Sequence, residues 1–100
     1  MTIPPFIELL GVRVPVLPYE QKTKKQRQQL GLARFSDKTI LLADVCRGRP
    51  VRPDIKEHAF FHELLHQVLD SAGYTEQNAD EQFVDSVSGL LHQALGPHMK

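Results

Sequence analysis

The stretch Phe60-Phe61-His62-Glu63-Leu64-Leu65-His66-Gln67-Val68-Leu69 decides how this chain is read. Its apolar positions, Phe60, Phe61, Leu64, Leu65, Val68 and Leu69, recur at three- and four-residue spacing, the period of a helix with one buried side. Side chains four apart on a helix share a face, with Cβ atoms about 5–6 Å apart, so the imidazoles of His62 and His66 can converge on one point. Glu63 directly follows the first of them. Upstream, Asp54 reads as an N-cap, and Glu57 three residues later completes a capping box. Downstream, Gly73 reads as the residue just past the end, so the spacing predicts a helix over residues 55–72.

A second helix is predicted over residues 79–95. Phe83, Val84, Val87, Leu90, Leu91 and Leu95 form its buried stripe, and Gly96-Pro97 ends it. Towards the N-terminus, the apolar runs 32–35 and 39–42 flank Ser36-Asp37-Lys38, which predicts a β-hairpin without a glycine in its turn. Val12, Val14 and Val16 alternate with Arg13, Pro15 and Leu17, which suits a strand over residues 11–17 near a sheet edge, where proline is tolerated. Strands come first and helices after. The expected class is therefore α+β: a small antiparallel sheet, made of the hairpin and the N-terminal strand, packed on the motif helix and the helix that follows. A chain of 100 residues has length for one core, so residues 1–100 are read as a single domain.

Twelve basic and twelve acidic side chains cancel, leaving no global field to draw the chain to nucleic acid or an anionic membrane. A basic run, residues 20–29, carries Lys22, Lys24, Lys25 and Arg27. It has no interleaved aromatics and reads as a solvated loop or helical turn rather than a nucleic-acid patch. The one cysteine, Cys46, cannot form an intramolecular disulfide, which points to a reducing, cytoplasmic setting and an inert thiol. The first eighteen residues contain Pro4, Pro5, Glu8, Arg13, Pro15 and Pro18, so they are not read as a signal peptide. No stretch approaches the ~20 apolar residues of a membrane span.

His62-Glu63-Leu64-Leu65-His66 is an H-E-x-x-H sequence on a predicted helix, the context in which that pattern has chemical meaning. Zinc accepts imidazole readily and, in catalytic sites, takes three protein ligands and a water. Glu63 is placed to reach that water as a base. For the third ligand the second helix offers Asp80, Glu81 and Asp85. Glu81 is either that ligand or a capping-box glutamate, with Asn78 as N-cap; if Thr75 caps instead, Glu81 lies well inside the helix. Asp85, four residues on, either orients a ligand histidine through its second ring nitrogen or is a solvated carboxylate. His58 precedes His62 by four but is followed by Ala59, not a glutamate, and is expected at the cleft rim. Asp70, about 12 Å along the helix from His62 at the standard rise, suits a surface or hydrogen-bonding role. Tyr74 and His92 are each read either as a donor to an oxyanion or as a packing or surface residue.

These residues resemble the zincins, and within them the gluzincins, whose pattern is H-E-x-x-H followed on a later helix by E-x-x-x-D. His62-Glu63-Leu64-Leu65-His66 and Glu81-Gln82-Phe83-Val84-Asp85 match both halves. The layout over residues 32–95 is similar to the minigluzincins and to the small phage- or mobile-element-borne peptidases of the ImmA/IrrE-like kind. The resemblance implies a minimal zincin-like domain in which zinc is held by His62, His66 and Glu81, Asp85 supports a ligand histidine, and Glu63 is the general base. It also implies that residues 39–42 form the strand along which an extended peptide lies. The expected activity is zinc-dependent hydrolysis of a peptide bond in a peptide or protein substrate. An alternative is a non-catalytic zinc module of a phage or mobile element, its coordination closed by His92 or by a partner's side chain. A third reading is a metal-free protein using Lys22, Lys24, Lys25 and Arg27 on nucleic acid.

Overall fold

A computed structural model describes residues 2–21 and 30–99; the basic run at Lys22, Lys24, Lys25 and Arg27 lies outside them. Tight turns organise the first half of the chain. Strands β1 (Phe6–Leu9) and β2 (Val12–Gln21) are joined by Leu10 and Gly11, at φ 52° and 79°. Two residues at positive φ suit the primed turn that matches the twist of paired strands. Strands β3 (Gly31–Arg34) and β4 (Thr39–Cys46) form the expected hairpin, and Lys38, at φ 53°, takes the left-handed position that glycine usually fills. A third turn, Arg47-Gly48 at φ 51° and 80°, returns the chain to β5 (Arg49–Pro50).

The strands lie in the order β1-β2-β4-β3, with β5 also paired to β4. The domain is α+β, as expected, but its sheet is mixed rather than wholly antiparallel. β2 and β4 run parallel, from Val16 against Ile40 to Gln21 against Cys46. Alternating hydrophobicity reveals which face of a strand is buried, not the direction of its neighbour, so strand periodicity could not show this. β2 is also interior to the strand order, not at an edge. Its prolines are accommodated because it changes partner midway: Val12 to Pro15 pair with β1, and Val16 to Gln21 pair with β4. β4 has neighbours on both sides along Ile40, Leu41 and Leu42, so residues 39–42 are not an open edge. β3 ends the strand order instead.

Helix α1 (Pro53–Ala72) starts earlier than the capping-box reading placed it. Pro53 occupies the first turn, where its missing N–H costs nothing, and Arg52 precedes it without a side-chain cap. Asp54 therefore lies inside the first turn, 3.0 Å from the Arg52 guanidinium, and is not the N-cap. At the other end Gly73 adopts φ 82°; its N–H donates to Asp70 O and that of Tyr74 to Leu69 O, a Schellman ending. A short helix, α2 (Thr75–Ala79), precedes α3 (Glu81–Leu95). The cap of α3 is Asp80, whose carboxylate accepts from Phe83 N–H at 3.1 Å, so neither Asn78 nor Thr75 has that task.

One core cluster joins Val14, Ile40 and Leu42 of the sheet to Ala59, Phe60 and Phe61 of α1; a second joins Leu65 and Leu69 to Val84 of α3. α3 meets α1 along a narrow line, with Val84 and Ser88 buried and Val87 and Leu91 half-buried. Phe83, Leu90, Leu95 and Val68, expected in buried stripes, are exposed. A different face of α1 is polar and buried: Glu63 and Gln67 point at the β3–β4 hairpin. Gln67 Nε2 donates to Arg34 O at 3.0 Å and Thr39 O at 3.1 Å, and Lys38 Nζ donates to Asp70 at 2.6 Å. The hairpin is thereby clamped along the motif helix. Among the described residues no helix is long and apolar enough to cross a membrane.

Candidate metal centre

The three faces of α1 divide the work. Phe60, Phe61 and Leu65 bury into the clusters, Glu63 and Gln67 face the hairpin, and His62 and His66, one turn apart, face α2 and α3. The two rings meet edge to face with centroids 4.9 Å apart. Both open onto a cleft of about 780 Å³, walled by Gly31, Leu32 and Ala33 on one side and by Asn78, Glu81 and Asp85 on the other. That size lies within the range of ordinary ligand sites.

Glu81 reaches both rings from the first turn of α3. Its Oε2 lies 3.3 Å from His62 Nε2, and its Oε1 lies 3.2 Å from His66 Nε2. On the far side of each ring Nδ1 is also engaged: His62 Nδ1–H donates to Asp85 Oδ1 at 2.9 Å, and His66 Nδ1–H to Asn78 Oδ1 at 2.6 Å. A hydrogen bond donated from Nδ1 makes Nε2 the lone-pair nitrogen and fixes the ring's direction, as carboxylate and amide partners do for metal-ligating histidines.

These donors fit a zinc ion. Tetrahedral ligands at the usual bond lengths of about 2.0–2.1 Å sit about 3.3–3.4 Å from one another. The Nε2-to-carboxylate separations, 3.3 Å to Oε2 and 3.2 Å to Oε1, are close to that edge, each ring facing a different oxygen. A pair of imidazolium ions clasping Glu81 would make the same contacts, but would set two like charges on rings 4.9 Å apart. Glu81 is the first residue of α3, so it is neither a capping-box partner nor deep in the helix.

Glu63 competes for the same place, since ligand atoms of His62, Glu63 and His66 all lie within 4.8 Å of one another. What separates it from Glu81 is its attachment: the Ala33 backbone N–H donates to its carboxylate, and its Cγ and Oε2 press against Gly31. It stands beside the rings and is held by β3. Burial pushes its carboxyl above the ordinary value, most strongly; His62 and His66 pull it down, Glu81 raises it, and the Ala33 N–H lowers it. The net direction is upward, which suits a group that must take up a proton.

The remaining candidates separate cleanly. His58 is exposed on the cleft rim, as expected, and Asp70 is the partner of Lys38. His92 stacks on Phe61 at 5.4 Å, and its Nε2 lies 3.2 Å from Glu57 Oε1, so it supplies neither a fourth ligand nor a donor to this cleft. Tyr74 is exposed beyond the cleft lining. Cys46 is a free, half-buried thiol. The residue that sequence reasoning misassigned is Asn78, weighed only as a cap. Its position one residue before the end of the α2 turn carries no signal of what it faces. Compared with models of known protein families, with curated proteins and with solved structures, this chain matches none.

Proposed function

We propose that this chain is a zinc-dependent peptidase, with His62, His66 and Glu81 as ligands and Glu63 as general base. The observation that carries the reading is one carboxylate, Glu81, whose two oxygens lie 3.3 and 3.2 Å from two Nε2 atoms whose opposite nitrogens are both tied down. When bound, zinc supplies Lewis acidity, lowering the pKa of a coordinated water to about 7 and polarising a substrate carbonyl.

The chain's own residues do the rest. Glu63 takes the proton of the attacking water and later delivers it to the leaving amine. Asp85 and Asn78 keep the imidazoles aimed. Among the described residues β3 has no strand on its outer side, so we place an extended peptide along Gly31, Leu32 and Ala33 rather than along residues 39–42. Adding a strand to a free edge satisfies a peptide's backbone without regard to its sequence. The single cysteine agrees with a cytoplasmic setting.

The test is elemental analysis of protein purified without chelator, paired with hydrolysis of a mixture of fluorogenic peptides. Zinc at about one per chain, with turnover that Glu63→Gln abolishes while retaining the metal, is the expected result. Protein that takes up no zinc would sink the reading. Zinc without turnover against any peptide would favour the non-catalytic module, closed by a ligand from a partner, since His92 does not reach this cleft.

A further inference from the structure

Gly31 sits where a side chain would collide with the proposed base. A Cβ at this position would lie 2.7 Å from Glu63 Cγ, 2.9 Å from Oε2 and 3.2 Å from the carboxyl carbon. Real Cβ atoms essentially never come under 3.0 Å, so something must move. Neither neighbour can retreat freely. β3 is tied to β4 by the Gly31–Leu42 to Arg34–Thr39 ladder, and the hairpin is tied to α1 by Gln67 and Lys38. Glu63 is buried at 8 % exposure, and its carboxylate is held by Ala33 N–H, two residues along the same strand.

Backbone conformation does not demand glycine here. Gly31 is the first residue of β3, and the glycines of this chain at positive φ are Gly11, Gly48 and Gly73. Strand interiors disfavour glycine, which loses more conformational entropy than any other residue and packs nothing. A close approach by another group is one physical reason for a glycine in a strand, and the group that approaches Gly31 is Glu63.

We propose that Gly31 is the positioning residue of Glu63: the missing side chain is the slot in which the base is seated, with Ala33 N–H closing it. The inference rests on the peptidase reading above. A methyl group at residue 31 meets Glu63 first and displaces its carboxylate, while Glu81 stands on the opposite wall and His62 and His66 face α2 and α3. A misplacement of about an ångström can cost a reaction roughly 100-fold in rate.

The experiment compares wild type, Gly31→Ala, Glu63→Ala and the double variant. Gly31→Ala is expected to hold the wild-type zinc content and to lose roughly 100-fold in kcat, a loss larger than any rise in KM for a fluorogenic peptide. A role in strand structure alone would lower the thermal midpoint without this division between kcat and KM. Wild-type kcat in a folded Gly31→Ala protein would overturn the proposal. Thermal midpoints give a second arm that needs no substrate. The loss caused by Gly31→Ala is expected to shrink or vanish in the Glu63→Ala background, where the colliding atoms are gone. A loss of the same size in both backgrounds would overturn the contact itself. A wild type that binds zinc but cleaves nothing would instead overturn the peptidase reading, with the steric coupling of residues 31 and 63 decided by the midpoints.

Discussion

Asn78 Oδ1 lies 2.6 Å from His66 Nδ1, so a five-residue helix between the two long ones orients a ring of the H-E-x-x-H pair. Its counterpart on His62 is Asp85, from α3. Each ring is thus held from a different helix. Removing such a partner typically costs 10–100-fold in metal affinity. We expect that loss for Asn78→Ala, with the carboxylate of Asn78→Asp restoring most of it, as read by competition with a chromophoric zinc chelator. Unchanged affinity in Asn78→Ala would mean the contact orients nothing.

Glu81 and Glu63 are both within reach of the rings, and their variants should divide the two roles. Glu81→Ala is expected to weaken zinc binding beyond the 10–100-fold typical of an orienting residue, because it removes a ligand. Glu63→Gln should leave stoichiometry unchanged. If Glu63→Gln loses the metal and Glu81→Ala keeps it, the assignment of ligand and base is reversed.

The burial of Glu63 gives the metal-free protein a defined pH dependence. Its carboxyl is raised above its value of 4.5 outside the fold. A raised acid favours the folded state fully below 4.5, and that contribution is lost as pH rises through the folded-state value. Metal-free Glu63→Gln should therefore melt higher than metal-free wild type at pH 7, with the gap closing as pH falls towards 4.5. Thermal melts in chelator at both pH values decide it, and a gap that widens on acidification would contradict the assigned direction.

Two of the attachments that hold the hairpin to α1, through Gln67 and through Lys38, should differ in strength. Gln67 is fully buried and donates to two backbone carbonyls, so Gln67→Met, which keeps the volume, is expected to cost about 1–3 kcal/mol. Lys38 and Asp70 each keep about a third of their side chains exposed, and Lys38→Ala should cost under about 1 kcal/mol. For a domain of this size each kcal/mol shifts the melting midpoint by roughly 4–8 °C. A larger loss from Lys38→Ala than from Gln67→Met would reverse the ranking.

The helix carrying His62, Glu63 and His66, the α+β class and the β3–β4 hairpin were legible from residues alone, because each rests on local periodicity or on a turn a few residues long. Glu81 and Asp85 were legible as candidates for the same reason, being one turn apart on one helix. Tertiary structure alone decided that Glu81 faces both Nε2 atoms, that Asn78 bonds to the His66 ring and is not a cap, and that His92 pairs with Glu57 outside the cleft. It also decided that β2 runs parallel to β4, which leaves β3 as the edge strand with Gly31 against Glu63. These depend on which segments meet across sequence separations of 12 to 35 residues. Such meetings follow from packing the whole chain, and no periodicity within one segment encodes its neighbour.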